Sequence, residues 1–88
     1  MRIKSDYVLR NIAGDYVLVP TGESVAKHNG LFGMTEVGAR IIEIMPECAD
    51  EGEIVRRILE EYDADEETVK SDVSEFLSSV RELGILEE

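Results

Sequence analysis

The sequence has one cysteine, one histidine and no tryptophan among its 88 residues, and these scarcities remove whole classes of chemistry. A lone thiol, Cys48, forms no internal disulfide and fits a reducing compartment. One His and one Cys fall short of the roughly four N/S ligands of a structural zinc site. Nucleophilic catalysis needs a nucleophile, a base and an orienting group within reach, and nothing in the sequence joins His28 to Cys48. Gly30, Gly33 and Gly38 match neither a Walker motif nor a dinucleotide fingerprint. Asp63, Asp65 and Glu67 open like a calcium loop, but Thr68 and Ser74 stand where that loop requires Gly and Glu. No apolar run approaches the roughly 20 residues of a membrane span, and Met1 to Asp6 lacks the apolar segment of a signal peptide. The expectation is a cytoplasmic protein without catalytic residues, metal or cofactor.

Charge and apolar residues are plentiful. Charged residues make up 33% and hydrophobic ones 43%, as in a folded globular domain. The length fits one domain, 1–88, with residues 1–6 expected as a tail. The net charge of −11 is unevenly spread: residues 1–42 carry +1 and residues 43–88 carry −12. Such a surface starts from repulsion against a phosphate backbone.

Tyr7 to Ile12 and Tyr16 to Pro20 are rich in aromatic and β-branched residues around a short Gly-containing connection, which predicts a β-hairpin. Ser24 to His28 is a weaker strand candidate, followed by an Asn29-Gly30 turn and a returning segment, Leu31-Phe32-Gly33-Met34. Gly33 within a strand predicts a bulge or a close approach of another backbone.

The second half has helical periodicity. Thr35 caps a predicted helix from Glu36 to Met45, whose stripe is Val37, Ile41, Ile44 and Met45 and which Pro46 stops. Asp50 and Glu53 form a capping-box pattern ahead of Ile54, Val55, Ile58, Leu59 and Tyr62. Asp65 caps a third helix bearing Val69, Val73, Phe76, Leu77, Val80 and Leu83, and Gly84 with Ile85 predicts a Schellman end. Strands first and helices after make an α+β domain. A strand edge beside a long amphipathic helix makes a groove that an extended peptide can enter by main-chain hydrogen bonds.

Met34-Thr35-Glu36-Val37-Gly38-Ala39-Arg40-Ile41-Ile42-Glu43 resembles the Leu-Asn-Glu-x-Gly-Ala-x-Ile-Trp-Glu run of the PqqD family. Ser71-Asp72-Val73-Ser74-Glu75-Phe76-Leu77, with Leu83-Gly84-Ile85-Leu86 after it, resembles that family's second signature. Tyr16 to Pro20 and the Asn29-Gly30-Leu31 turn are also similar. The chain departs at Thr35, which keeps the family Asn's capping chemistry, and at Ile42, which replaces its Trp.

The resemblance implies a small winged-helix-like domain, an N-terminal antiparallel β-sheet of about three strands followed by three α-helices. It implies a non-catalytic recognition element that binds the leader segment of a ribosomally synthesised precursor peptide and presents it to a modifying enzyme, often a radical S-adenosylmethionine (radical SAM) protein. It places the leader as an added strand beside the third helix. The peptide-binding candidates are then Leu31, Phe32, Gly33 and Met34 on the strand, with Ser24 to His28 as the alternative receiving strand, and Val69, Lys70, Val73 and Phe76 or Leu77 on the helix. Lys70 and Arg81 are that helix's cations and are expected to meet acidic leader residues. A free strand edge also invites a homodimer. The alternative reading is a winged helix-turn-helix that binds nucleic acid or regulates. Its recognition helix would carry Glu66, Glu67, Asp72, Glu75 and Glu82 against those two cations, so no nucleic-acid or membrane partner is expected.

Overall fold

The computed structural model describes residues 1–22 and 32–88. The hairpin forms where its pattern placed it. Strand β2 (Tyr7–Ile12) pairs antiparallel with β3 (Asp15–Pro20). Ala13 and Gly14 make the turn, both at positive φ (53° and 89°), as a tight turn matched to strand twist requires. The Gly14 N–H donates to Asn11 Oδ1 at 3.0 Å. Strand β4 (Phe32–Met34) adds antiparallel to β3, giving a three-stranded sheet in the order β2-β3-β4.

The two-residue period sorts this sheet into faces. Tyr7, Leu9, Tyr16, Leu18, Phe32 and Met34 face the helices, and the Tyr7 and Phe32 rings lie tilted at 6.5 Å between centroids. The opposite face carries Val8, Ile12 and Gly33, all exposed. Gly33 pairs in register with Val17, and no described atom lies within 4 Å of where its Cβ would be. Among the described residues Gly33 shows neither the expected bulge nor a close backbone approach. The expected strand at Ser24 to His28, and Leu31 after it, lie outside the described residues.

Helix α1 (Glu36–Ile44) starts where Thr35 Oγ1 accepts from the Gly38 N–H at 3.1 Å. Pro46 ends it differently from the expectation. Met45 keeps helical angles (φ −57°, ψ −31°), and the chain tightens into a 3₁₀ turn, Met45–Glu47, that places the proline in its first turn, where no N–H is needed. Helix α2 (Glu51–Glu61) is capped by Asp50, which accepts from the Glu53 N–H at 2.9 Å. The return bond from the Glu53 side chain does not form. Helix α3 (Glu66–Glu82) is capped by Asp65, which accepts from the Thr68 N–H at 3.2 Å.

The end of α3 is the predicted Schellman motif. Gly84 sits at φ +74°, its N–H donates to the Arg81 carbonyl at 3.0 Å, and the Ile85 N–H donates to the Val80 carbonyl at 3.1 Å. Ile85 is then buried against Val80.

The expected tail is tied down instead. Strand β1 (Arg2–Ile3) pairs antiparallel with β5 (Leu86–Glu87), and the Arg2 guanidinium meets Glu87 at 2.7 Å. The Lys4 N–H donates to the Ile85 carbonyl at 2.9 Å.

The core is one cluster under the sheet, drawn from every helix: Leu18, Ile41, Ile44, Met45, Ile54, Ile58, Val73, Leu77 and Ile85 are each less than 2% exposed. No helix is long and apolar enough to cross a membrane, among the described residues. The α+β order of an antiparallel sheet followed by three helices is the one expected.

Candidate functional site

Strand β4 pairs with β3 on one side, and its other edge meets no strand among the described residues. Along that edge runs α3, and between them lies a groove. Its larger lobe, about 490 Å³, is bounded by Phe32, Gly33 and Met34 of β4, by Leu18 and Ile85 beneath, and by Val80 and Leu83 of α3. Its smaller lobe, about 320 Å³, lies beside the start of α1 at Val37 and Ile41 and along Asp72 and Glu75 of α3. Thr35, Gly38, Phe76 and Ser79 line both lobes, so the groove is continuous.

Gly38 sets its floor. A Cβ at that position would stand 3.2 Å from Phe76 Cε1 and 3.5 Å from Met34 Cβ. The missing side chain lets the Phe76 ring lie across α1, half-buried, with one face left to the groove.

The helix wheel decides which expected residues reach the groove. Val69, Val73 and Leu77 are at most 4% exposed and belong to the core. They pack against the other helices and the sheet, and an occupant of the groove does not reach them. Lys70 is exposed but points away. Nine residues are two and a half helical turns, so Lys70 stands opposite Ser79, and Arg81 stands opposite Asp72. Each is also engaged, Lys70 with Glu66 at 3.4 Å and Arg81 with Glu88 at 3.1 Å. The cations expected to face the groove therefore sit on the far flank of α3. Phe32, Gly33, Met34 and Phe76 do line it.

Thr35, Gly38, Asp72, Glu75, Ser79 and Leu83 line it too and were not among the expected peptide contacts. Phe76 was the available signal. Asp72 lies at i−4 and Ser79 and Leu83 at i+3 and i+7, so they share its flank. Leu83 is one of the few large apolar side chains left exposed, at 38%.

The remaining titratable groups with resolved shifts lie elsewhere. Hydrogen bonding to Glu61 raises Arg40 and lowers Glu61, and the contact, 2.6 Å, ties α1 to α2. Arg57 is raised by its hydrogen bond to Glu47, at 2.9 Å. Burial pushes the Cys48 thiol and the Tyr62 phenol up. No group of three or more His, Cys, Asp or Glu side chains gathers into a metal site among the described residues. A groove beside a strand edge is suited to holding an extended chain.

The chain is similar to a solved structure titled "TbiB1 in Complex with the TbiA(beta) Leader Peptide", with 31% identity and a TM-score of 0.73 over 99% of this chain and 95% of that one. No curated protein matches the chain. The family described as "Coenzyme PQQ synthesis protein D (PqqD)" matches residues 8–86, and with nearly the whole folded domain inside that match, the chain belongs to the PqqD family.

Proposed function

We propose that this domain is a recognition element for the leader segment of a ribosomally made precursor peptide. The leader lies along the groove as a strand added beside β4, its apolar side chains entering the lobe between Phe32, Phe76 and Leu83. The domain does no chemistry on the peptide. It holds the leader so that the remainder reaches a modifying enzyme, of radical SAM type. The observation that carries this reading is the continuous groove between the β4 edge and the Phe76 flank of α3. A similar structure titled as a complex with a leader peptide supports it. The same edge is the route to a homodimer, with a second copy in place of the leader.

The test is a titration with precursor peptides encoded beside the gene, followed through backbone amide shifts. Shifts are expected at Phe32 to Met34 and along the Asp72, Phe76, Ser79 and Leu83 flank. Ser79 is exposed and borders both lobes, so Ser79→Trp should fill the groove without touching the core. Affinity is expected to fall by about tenfold or more, the loss of one well-placed contact region, while circular dichroism stays unchanged. Binding that survives Ser79→Trp, or shifts confined to other surfaces, would remove the groove as the site. Light scattering with and without peptide reads the dimer, which leader binding should suppress.

A further inference from the structure

The two lobes of the groove differ in chemistry. The lobe at the C-terminal end of α3 is apolar, closed by Phe32, Leu83 and Ile85, whereas the other is walled by Asp72 and Glu75. Neither carboxylate has a hydrogen bond or an ion pair among the described residues. No Lys or Arg lines the groove among the described residues. The cations of α3 itself are turned away and engaged with Glu66 and Glu88.

A peptide laid over Asp72 and Glu75 strips water from both, and a carboxylate that loses water without gaining a partner opposes binding. An acidic peptide residue there adds repulsion, and a basic one supplies the missing charge.

Resting on the leader-binding reading above, we propose that the groove selects an extended peptide carrying a Lys or Arg over Asp72 and Glu75 at a fixed spacing from an apolar anchor between Phe32 and Leu83. The spacing follows from the helix. Along α3, Glu75 and Asp72 stand about 12 and 16 Å from Leu83, at a rise of about 1.5 Å per residue. An extended chain covers that distance in about four to five residues. The acidic wall also rejects leaders with Asp or Glu at that position.

The experiment uses the folded full chain and a library of random twelve-residue peptides, selected in parallel on the wild type, on Asp72→Asn/Glu75→Gln and on Ser79→Trp. The wild-type pool should carry an aliphatic or aromatic residue with Lys or Arg four or five positions away. The double variant should keep the apolar residue and lose the cation. For one selected peptide, replacing the cation by Gln should weaken binding about fivefold, the scale of a partly exposed charge pair. That ratio should shrink with added salt and fall to about one in the double variant.

A wild-type pool with an apolar anchor and no basic preference would overturn the charge selection and leave the groove reading standing. A basic preference that persists in the double variant would overturn the assignment to Asp72 and Glu75. Enrichment that is unchanged in Ser79→Trp, or no enrichment on any protein, would overturn the groove reading and this inference with it.

Discussion

Phe76 and Leu77 are consecutive residues with different work. Leu77 is fully buried, and Phe76 is half-buried with its ring between Gly38 and the groove. Leu77→Ala should lower stability by about 2–5 kcal/mol, since a site packed on all sides collapses little. Phe76→Ala should weaken peptide binding at a smaller stability cost. Urea melts beside a binding titration separate the two, and the reverse pattern would exchange their roles. The helical stripe Val69, Val73, Leu77 and Val80 was legible as apolar. Which of its flanks stays open was not, because that depends on where β4 and Gly38 arrive, and both come from the other half of the chain. Ala13 makes a second residue-scale case. It occupies left-handed backbone at φ 53°, a conformation that costs an L-residue roughly 1–2 kcal/mol. Ala13→Asn creates the Asn-Gly pair favoured in such turns and should add up to about 1 kcal/mol of stability, read as a higher urea midpoint. An unchanged or lowered midpoint would show that the turn relaxes without strain.

At the scale of elements, caps and stops were the most legible features. Thr35, Asp50, Asp65 and Gly84 each stand where the helices begin or end, because each acts through its own backbone neighbourhood. Strands β1 and β5 were not legible. Two residues each give no alternation to read, and their pairing joins opposite ends of the chain. The link between α1 and α2 through Arg40 and Glu61 was equally hidden, being set by helix packing. It makes a pH prediction. Arg40 holds the Glu61 carboxyl below its ordinary value in the folded chain, and unfolding releases it. The unfolded state therefore takes up the proton first as pH falls. The pair's contribution is present above the ordinary glutamate value of about 4.3 and is lost as pH falls through the lowered folded value. Urea midpoints measured between about pH 6 and about pH 3 should fall more steeply in the wild type than in Glu61→Gln. Parallel curves would mean that the contact contributes nothing in solution.

Charge is the property of the whole molecule that most constrains it. The −12 carried by residues 43–88 lies on α2, α3 and the segments around them, which includes the helix a nucleic-acid reader would insert. Both cations of that helix are already paired with Glu66 and Glu88, so little positive charge is left to meet a phosphate. The same imbalance acts on stability. Each ion pair is at least partly exposed, and such pairs are worth about 0–1 kcal/mol. The unpaired carboxylates, Asp72 and Glu75 among them, repel one another across the helical half. Salt weakens both terms. With 20 acidic residues against 9 basic ones, relief of repulsion should win. The melting temperature is expected to rise as sodium chloride goes from about 10 mM to about 150 mM, where the screening length shortens to about 8 Å, and then to level off. A rise that continued undiminished toward molar salt would point to general salting-out. A fall would mean that the exposed pairs outweigh the repulsion. Asp72→Asn/Glu75→Gln should reduce the salt response, because it removes two of the repelling charges without breaking an ion pair. Leader binding should reduce it too where the leader brings a cation to those carboxylates, which links the molecule's overall charge to the occupancy of its groove.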